Sequence, residues 1–582
     1  MKKIINTPET LVNEMCRGAA LANPDISLIP KYKVLHRRKL NRRKVSLISG
    51  GGSGHEPAHA GFVGKGMLDA AVCGDIFASP SQIQVYQAIR AVAGERGVLL
   101  IIKNYSGDIM NFRNGAALAQ EEGIKVEYIK VDDDAAVKDS TYTVGRRGVA
   151  GTILVHKVAG AAAEMGLELE EVKKAAQEAA DHVRSIGAAF TSCTVPAKGT
   201  PTFTLGEDEM EYGVGIHGEP GRSREKILSA DELAERMTAL LKEDMDLEEG
   251  SEITLLINGF GSTPLQELEV LNHSVRKCLE KKKITVYRTF VGNYMTSIDM
   301  AGASVSFMEM NDNLRNFIDQ PSNAPAFRVD GKVDKTEYCP PYSPAGDECR
   351  DITVESSWLS INDNVLTKEN MKALILEMSR SIIKNEVAFC ELDAFAGDGD
   401  FGMSIAKGFR QLMREWDEVC SEGNGSIGAF LKACSMVIME NCGGASGPIW
   451  GSAFRAAGVE AGELKEINLC QFAEVMQAAV RGIQATGERS FGRGAVVGDK
   501  TLIDALIPCA DALTKAAWTD LTLTEAMRRG AEAAVKGAEA TSEIAARMGR
   551  AGVVGARSLG HPDAGAHALG VIFTDICNAF FA

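Results

Sequence analysis

Several features that mark whole classes of protein are missing from this chain of 582 residues. Its 13 cysteines include no Cys-x-x-Cys pair, so we expect neither a zinc site nor a disulfide framework. No stretch reaches the roughly 18 uncharged apolar residues of a membrane span, and residues 7–10 interrupt the basic start before a signal-length apolar core. The net charge of −15 argues against a nucleic-acid partner. We therefore expect a cytoplasmic protein with no membrane and no nucleic-acid partner.

Two common nucleotide-binding motifs are also missing. The segment Ser-Gly-Gly-Gly-Ser-Gly-His-Glu-Pro at 49–57 follows a strand-like run but lacks the Gly-Lys-Ser/Thr ending of a P-loop. It is not a Rossmann Gly-x-Gly-x-x-Gly that opens a helix either. A glycine-rich loop after a strand exposes N–H groups to a small ligand. The alternatives are a turn without function and, for His55, a structural side chain.

The two halves of the chain have different patterns. In the first half, strand-like runs at 45–49, 98–103, 125–131, 252–257 and 284–290 alternate with helical stretches at 81–93 and 169–185. This pattern predicts an α/β domain with a largely parallel sheet, in which ligands bind beyond the carboxyl ends of the strands.

Prolines then become frequent, and the strand signal nearly vanishes. Apolar residues three and four apart predict helices at 367–385, 402–416, 427–440, 468–486, 499–513 and 524–547. We predict an α/β domain at 1–330, a proline-rich linker at 331–360 and an all-α domain at 361–582.

Three carboxylates gather near the start of the helical half, at Asp393, Asp398 and Asp400. Gly397 and Gly399 allow a turn that folds the last two carboxylates back toward Asp393. Converging carboxylates are ligands that Mg²⁺ accepts while it keeps waters and phosphates in its other positions. The alternative is an acidic surface turn.

Three further segments carry polar residues that suit a ligand. His217 lies among glycines that leave its ring accessible, as a nucleophile or a base requires, although a solvated loop histidine fits the same pattern. Asp108 follows the strand that ends at Lys103. The glycines at 443–447 precede an apolar helix whose free N–H groups favour a phosphate, or whose start Ser446 simply caps.

Together, the segment 49–57, the segment His-Gly-Glu-Pro-Gly at 217–221 and the segment Gly-Asp-Gly-Asp at 397–400 resemble the single-chain dihydroxyacetone kinase family. Each motif alone is weak, but their order and spacing over nearly the whole chain are specific. The resemblance implies a substrate-binding first half and a nucleotide-binding second half that forms a helical, barrel-like bundle. It also implies a homodimer in which the two halves of an active site can come from different subunits.

The resemblance assigns roles to residues of the first half. His217 matches the histidine that forms a covalent hemiaminal with the substrate carbonyl, and Asp108 matches the general base, with His55 assisting. The remaining substrate-loop positions are Gly52, Ser53, Gly54 and Lys103.

In the second half, Asp393, Asp398 and Asp400 match the Mg²⁺ ligands. The positions that match nucleotide contacts are Phe401, Gly402, Met403, Ser404, Ala445, Ser446, Gly494, Leu502, Arg550, Asp563, Ala564 and Gly565. The chain departs from the family pattern on this side: Phe401 replaces a threonine or histidine, Ala564 replaces a proline, and 552–554 replace Ser-Tyr-Leu.

The predicted activity is therefore ATP-dependent phosphorylation of a short ketose, with dihydroxyacetone as substrate and ATP and Mg²⁺ as cofactors. A kinase for the four-carbon ketose erythrulose is the nearest alternative, because a carbonyl anchor does not measure chain length. Relatives that use phosphoenolpyruvate keep the two domains on separate chains, so the fusion favours ATP. A ketone sensor without catalysis and a lyase side activity on FAD are further alternatives.

Overall fold

The computed structural model describes residues 2–137, 145–340, 352–548, 552 and 555–581. The chain divides into two compact units, Met1–Pro341 and Tyr342–Ala582. This division falls inside the segment 331–360. Arg550 and residues 553–554, which the sequence analysis singled out, lie outside the described residues.

The first unit combines helices and strands. Its helices are α1 Leu11–Ala22, α2 Gln82–Val92, α3 Ser106–Glu121, α4 Thr152–Glu164, α5 Leu169–Asp181, α6 Ala230–Asp244, α7 Leu265–Lys281 and α8 Asp312–Ile318. Its strands are β1 Ile26–Ile29, β2 Val34–Arg37, β3 Ser46–Ser53, β4 Ala70–Ile76, β5 Val98–Lys103, β6 Val126–Val131, β7 Val183–Ala189, β8 Glu209–Tyr212, β9 Ser223–Lys226, β10 Glu252–Gly259, β11 Thr285–Gly292, β12 Gly302–Glu309, β13 Ser322–Ala324 and β14 Phe327–Val329.

The strands form two six-stranded sheets and a small hairpin. The first sheet has the order β1-β2-β4-β3-β5-β6, and its β4-β3-β5-β6 part is parallel. The second has the order β11-β10-β12-β7-β8-β9, and only β10 and β11 pair in parallel. The α/β class is confirmed, but the expectation of a largely parallel sheet is wrong for the second sheet. The apolar runs did not reveal strand direction, because an antiparallel strand buried on both faces has the same composition.

Two predicted boundaries in this unit also differ from the structure. Strand β3 continues through Gly50 and Gly51 to Ser53, so the glycine-rich segment begins inside the sheet. Helix α5 ends at Asp181, and Ser185 belongs to β7, where it pairs with β12. Pairing between distant strands therefore overrides the local helical pattern.

The second unit is helical. Its helices are α9 Lys368–Lys384, α10 Glu386–Asp393, α11 Phe401–Arg414, α12 Trp416–Glu422, α13 Ile427–Asn441, α14 Ser446–Ala461, α15 Leu469–Phe491, α16 Ile503–Ala516, α17 Leu523–Ala540 and α18 Ala564–Phe581, and the short strands β15 Val365–Thr367 and β16 Glu466–Asn468 pair. The helices pack around one continuous apolar core that includes Phe409 and Phe430, both fully buried. Capping boxes at Thr367, Asn468 and Thr522 fix where α9, α15 and α17 begin.

Helix α16 begins at Ile503 and not at Asp499 as predicted. Lys500 has a φ of +60°, which no residue inside a right-handed helix adopts. The side chain of Asp499 pairs with Arg493 instead of opening the helix, and Asp504 accepts hydrogen bonds from the N–H groups of Gly498 and Thr501. The glycine-rich loop therefore continues into the first predicted turn.

Helix α18 is the one helix of the described chain that is long and apolar enough to cross a membrane by length and composition. It packs against α9 and α17 within the bundle. Its Asp575 accepts a hydrogen bond of 2.7 Å from the hydroxyl of Ser381 on α9. The buried apolar residues of α18 therefore belong to the core of the helical unit.

Candidate active site

In the first unit, two neighbouring parallel strands bring polar residues to one edge of the first sheet. Strands β3 and β5 pair in parallel, so the glycine-rich segment after Gly50 lies next to Lys103 at the end of β5. Helix α3 starts directly afterwards and carries Asp108 in its first turn. A Cβ atom on Gly51 would lie 3.2 Å from Lys103 Nζ and 3.4 Å from Asp108 Oδ2. The structure therefore brings these predicted residues together.

The two histidines meet at the same place. His55 follows β3, whereas His217 lies between β8 and β9, and their Nε2 atoms are 3.1 Å apart. His55 is fully buried and donates from Nδ1 to the carbonyl oxygen of Thr296 at 2.8 Å. A loop of the second sheet thus holds the ring of His55 in place.

The surroundings of His217 differ from the uncrowded loop that the sequence predicts. Its ring lies 4.8 Å from the His55 ring, 5.0 Å from the Phe77 ring and 4.8 Å from the Tyr105 ring, between ring centroids. The glycines around His217 in sequence say nothing about these distant rings. Its side chain nevertheless remains 19% exposed, so a small molecule can reach it.

Burial shifts the proton affinities in this group. It raises the pKa of Asp108, although Lys103, a hydrogen bond from Ser79 and His217 all oppose the increase. Burial and the neighbouring Lys103 lower the pKa of His55 well below its usual range. A carboxylate with a raised pKa is a better proton acceptor, and a neutral His55 can accept a hydrogen bond at Nε2.

Three buried polar atoms of this group have no hydrogen-bond partner among the described residues. They are Lys103 Nζ, Tyr105 Oη and Asp108 Oδ1. Leaving such atoms without partners costs free energy, and functional sites are where native proteins tolerate it. A small ligand with several oxygen atoms would satisfy them.

The other predicted loop residues make bonds within the loop. The hydroxyl of Ser53 donates to the carbonyl oxygen of Gly74 at 2.7 Å, and the N–H of Gly54 donates to the carboxylate of Glu56 at 3.0 Å. Gly52 lies against the backbone of Phe77. These residues lie next to His55 and shape the loop that carries it.

The sequence analysis missed two residues of this group. Tyr105 stands between the predicted Lys103 and Asp108, and Glu219 belongs to the motif that contains His217. Glu219 accepts a hydrogen bond of 2.8 Å from Nδ1 of His217. Position in a motif was the only signal for both residues, since neither burial nor pairing can be read from the chain.

In the second unit, the three predicted carboxylates converge. One oxygen from each of Asp393, Asp398 and Asp400 lies within 4.8 Å of the others, and Asp398 is exposed. Gly399 has a φ of +77°, and its N–H donates to Asp393 Oδ2 at 2.9 Å. The glycine turn thus folds the loop back as expected. Three hard oxygen ligands at the end of a helix fit a Mg²⁺ ion that keeps open positions.

A cavity of about 210 Å³, lined by both polar and apolar residues, adjoins these carboxylates. Its walls include the metal group and most of the predicted nucleotide positions, namely Phe401, Ser404, Ala445, Ser446, Leu502, Asp563, Ala564 and Gly565. The N-terminal ends of α11, α14 and α18 all face this cavity. Helix N-termini carry free N–H groups and partial positive charge, which suit phosphates.

Three predicted positions do not line the cavity. Gly402 lies against the backbone of Glu386 where α11 meets α10, the side chain of Met403 is 57% exposed, and Gly494 lies against Gln484. The sequence analysis also missed residues that do line it. Lys500 donates to the carbonyl oxygens of Ile544, Ser558 and His561, which fixes one wall.

An aromatic pair adds to the cavity wall. The rings of Phe395 and His561 stack with their centroids 3.7 Å apart and an interplanar angle of 9°. Phe395 comes from the metal loop, and His561 comes from the segment before α18. This contact between distant parts of the chain has no sequence signal.

Burial raises the pKa of Asp563 to about 7, although the N–H of Ala566 and the charge of Lys500 oppose this increase. The Asp563 carboxylate accepts the N–H of Ala566 at 2.8 Å and thereby caps α18. The predicted Asp-Ala-Gly segment therefore forms the start of a helix at the cavity.

Comparison with known families matches both units. A Dak1 domain matches residues 17–326, and a DAK2 domain matches residues 395–578. The dihydroxyacetone-binding subunit DhaK of PTS-dependent dihydroxyacetone kinase 1 from Listeria innocua is 49% identical over 54% of this chain and 95% of its own length.

Other relatives match the whole chain. The triokinase/FMN cyclase of Rattus norvegicus is 35% identical over 99% of this chain and 98% of its own length. The L-erythrulose kinase of Pectobacterium atrosepticum is 35% identical over 98% of this chain and 95% of its own length. The crystal structure of the dihydroxyacetone kinase from C. freundii in complex with AMP-PNP and Mg²⁺ matches with a TM-score of 0.61 and 30% identity, over 99% of both chains. The chain therefore belongs to the single-chain dihydroxyacetone kinase family, with a Dak1 domain in its first unit and a DAK2 domain in its second.

Proposed function

We propose that this protein transfers the terminal phosphoryl group of ATP to a hydroxyl of a short-chain ketose, with dihydroxyacetone as the preferred substrate. The observation that carries this proposal is the set of unpartnered buried atoms Lys103 Nζ, Tyr105 Oη and Asp108 Oδ1 beside the His55–His217 pair. A three-carbon ketose offers two hydroxyls and one carbonyl to these groups. The names of the full-length relatives, which are kinases of short ketoses or trioses, support the same class.

Nε2 of His217 is the proposed anchor of the substrate. A nucleophilic nitrogen adds to a carbonyl carbon and forms a hemiaminal, which a polyol such as glycerol cannot form. Asp108 would then take the proton of the reacting hydroxyl as the phosphoryl group arrives, as its raised pKa suits.

ATP and Mg²⁺ would bind in the second unit. Asp393, Asp398 and Asp400 would hold Mg²⁺, which supplies positive charge to the phosphate oxygens in phosphoryl transfer. The N-termini of α11, α14 and α18, which face the cavity beside these carboxylates, would bind the phosphates. The relative named as PTS-dependent corresponds to about half of this chain, whereas here a nucleotide unit is part of the same polypeptide, and this fusion favours ATP as the donor.

We further propose that the protein is a cytoplasmic homodimer without a membrane or nucleic-acid partner. Sedimentation equilibrium of the purified chain measures the stoichiometry. A single species of twice the chain mass is the expected result, and a stable monomer would contradict it.

ATP consumption coupled to product identification tests the activity. Dihydroxyacetone, glyceraldehyde, both erythrulose enantiomers and glycerol are compared in parallel. We expect the highest kcat/KM with dihydroxyacetone and no turnover of glycerol. A preference for erythrulose of about tenfold, or about 1.4 kcal/mol in transition-state binding, would instead make the protein a tetrulose kinase. Glycerol turnover would contradict the carbonyl anchor, and a ketone adduct without any turnover would favour a sensor.

The relative named triokinase/FMN cyclase favours a test for a second activity, the cleavage of FAD to a cyclic flavin phosphate. That reaction needs only a nucleotide site and a divalent metal. Incubation of the protein with FAD and Mg²⁺ or Mn²⁺, followed by chromatography with fluorescence detection, measures it. The absence of a fluorescent product would exclude this activity.

A further inference from the structure

Glu219 contacts His217, the proposed anchor of the substrate, through two hydrogen bonds. The carboxylate holds His217 at two points: Oε1 accepts from ring Nδ1 and Oε2 accepts from the backbone N–H, each at 2.8 Å. The side chain of Glu219 is only 5% exposed. A buried carboxylate that grips one residue twice fixes both the position and the rotation of that ring.

The local backbone is built around this carboxylate. The N–H of Gly215 donates to the carbonyl oxygen of Glu219, which closes the loop at 3.1 Å. A Cβ atom on Gly215 would lie 2.1 Å from Glu219 Oε2 and 2.6 Å from Arg147 Nη1. Only glycine at 215 lets the carboxylate and the guanidinium approach in this way. The glycine pattern that precedes His217 thus serves Glu219.

Positive charge on both sides keeps Glu219 ionised. Burial alone would raise the pKa of Glu219, but His217 and Arg147 outweigh it and lower that pKa to about 2. Arg147 is itself fully buried and is held by Asp134 at 2.6 Å and by the carbonyl oxygen of Gly213 at 2.8 Å. An ionised carboxylate can only accept, so Nδ1 of His217 carries a proton.

The hydrogen bonds of the two histidines also set the number of protons between them. Nδ1 of His55 donates to the carbonyl oxygen of Thr296, so Nδ1 carries the proton of the neutral ring and Nε2 is bare. Two bare Nε2 atoms would repel each other at 3.1 Å, so one proton lies between His55 and His217. The pair therefore carries one positive charge, and Glu219 is its partner.

We infer that Glu219 is a positioning residue that keeps a proton on Nδ1 of His217, so that Nε2 attacks the ketone, and that neutralises the charge of the resulting adduct. This inference rests on the proposed function. In the step, Nε2 of His55 first takes the proton that it shares with Nε2 of His217. The freed Nε2 lone pair of His217 then forms a bond to the carbonyl carbon, and the carbonyl π electrons move to its oxygen. The proton shared with His55 moves from His55 Nε2 to that oxygen. The product is a carbinol on an imidazolium whose Nδ1–H still donates to Glu219, so the charge is one before and after the step.

The test compares Glu219→Gln with Glu211→Gln. Glu211 is also buried and supports the same loop, because it accepts hydrogen bonds from the N–H of Gly221 at 2.8 Å and from Arg224 Nε at 3.4 Å. Neither bond involves His217. For each protein, intact mass spectrometry at a series of dihydroxyacetone concentrations gives an apparent dissociation constant of the adduct. Thermal unfolding and kcat at saturating ketone are measured on the same samples. The dependence of adduct formation on ketone concentration decides the test. A variant that is only partly folded has a smaller active fraction, but the apparent dissociation constant of its adduct is unchanged.

We expect the constant to rise roughly tenfold to a hundredfold in E219Q, as for loss of a charge-assisted hydrogen bond, and to stay near the wild-type value in E211Q. An unchanged constant in E219Q, or equal increases in both variants, would overturn the inference. If E219Q does not fold, Glu219→Asp replaces it, because this change withdraws the carboxylate by one methylene. An increase of about threefold or more in the apparent dissociation constant of the adduct then supports the positioning role of Glu219, and an unchanged constant overturns it. A wild-type chain that forms no adduct overturns the covalent anchor and this inference together, whereas a wild-type adduct with an unaffected E219Q overturns only the role of Glu219.

Discussion

Replacing Asp108 with Asn separates ketone capture from phosphoryl transfer. Asp108 lies in the first turn of α3, is 3% exposed and interacts with Lys103 and His217. Asparagine has nearly the same shape, so the packing of α3 is kept. The substitution removes the negative charge and the ability to accept a proton, and leaves His55 and His217 in place.

The expected fall in kcat follows from the proposed role of the Asp108 carboxylate as general base. A positioned general base contributes about 10²- to 10⁴-fold to the rate, which corresponds to about 3 to 5 kcal/mol of transition-state stabilisation. We expect kcat to fall by this factor. The unpartnered Oδ1 of Asp108 can be replaced by the amide oxygen of Asn, so the ketone adduct on His217 should still form. Lys103 keeps its interactions with Glu219 and Asp133, so the fold should be retained.

The assay is ATP consumption coupled to product identification, with adduct formation followed by intact mass on the same preparation. Asp75→Asn is the matched control, because Asp75 is an exposed carboxylate of β4 that pairs with Lys33. A kcat of Asp108→Asn within about tenfold of the wild type would refute the general-base role. Loss of the adduct together with kcat would show that Asp108 acts in ketone binding and not in proton transfer.

Four further predictions use the same assays. His217→Ala should abolish the mass adduct and weaken ketone binding, and an unchanged adduct would exclude His217 as the anchor. Asp398→Asn, or removal of divalent metal by EDTA, should abolish phosphorylation and leave the adduct intact, whereas loss of both would show that the two functions are not separable. Activity requires ionised Asp108, and the hydrogen bond from Ser79 lowers the pKa of Asp108. Ser79→Ala should therefore move the acidic limb of the pH profile of kcat/KM to higher pH, and a move to lower pH would contradict this prediction. Phe430→Ala in the fully buried core of the helical unit should lower its free energy of unfolding by about 3–5 kcal/mol, measured by urea denaturation, and a loss below about 1 kcal/mol would mean that the cavity collapses.

The sequence pattern predicted most of the helices and strands whose bounds are set by residues close together in the chain. Strand β5 occupies Val98–Lys103 as expected, and α2 and α9 begin directly after Ser81 and Thr367, the first residues of two predicted helical stretches, which cap them in the structure. Capping and apolar periodicity act within a few residues, so they can be read from the chain. The metal loop is a further local feature, because a glycine with positive φ between two carboxylates suffices to fold it.

The direction of the strands in the second sheet required the tertiary structure. Strand β7 lies between β12 and β8, and both neighbours are antiparallel to it. Both partners come from segments that follow it in the chain, β8 at Glu209–Tyr212 and β12 at Gly302–Glu309. Strand partnership is set by long-range packing, which composition does not encode.

The sequence by itself determined the two-domain organisation, the family and the residue types of the predicted sites, because these depend on composition and on motifs within short segments. Only the tertiary structure decided that His55 and His217, which are 162 positions apart, lie with their Nε2 atoms 3.1 Å apart, and that Glu219 and Arg147 lie beside the second ring. It also decided that Phe395 stacks on His561 and that Lys500 holds a cavity wall. The physical reason is that burial, charge pairing and ring contacts depend on distances between segments that are remote in sequence, and such distances exist only once the chain has folded.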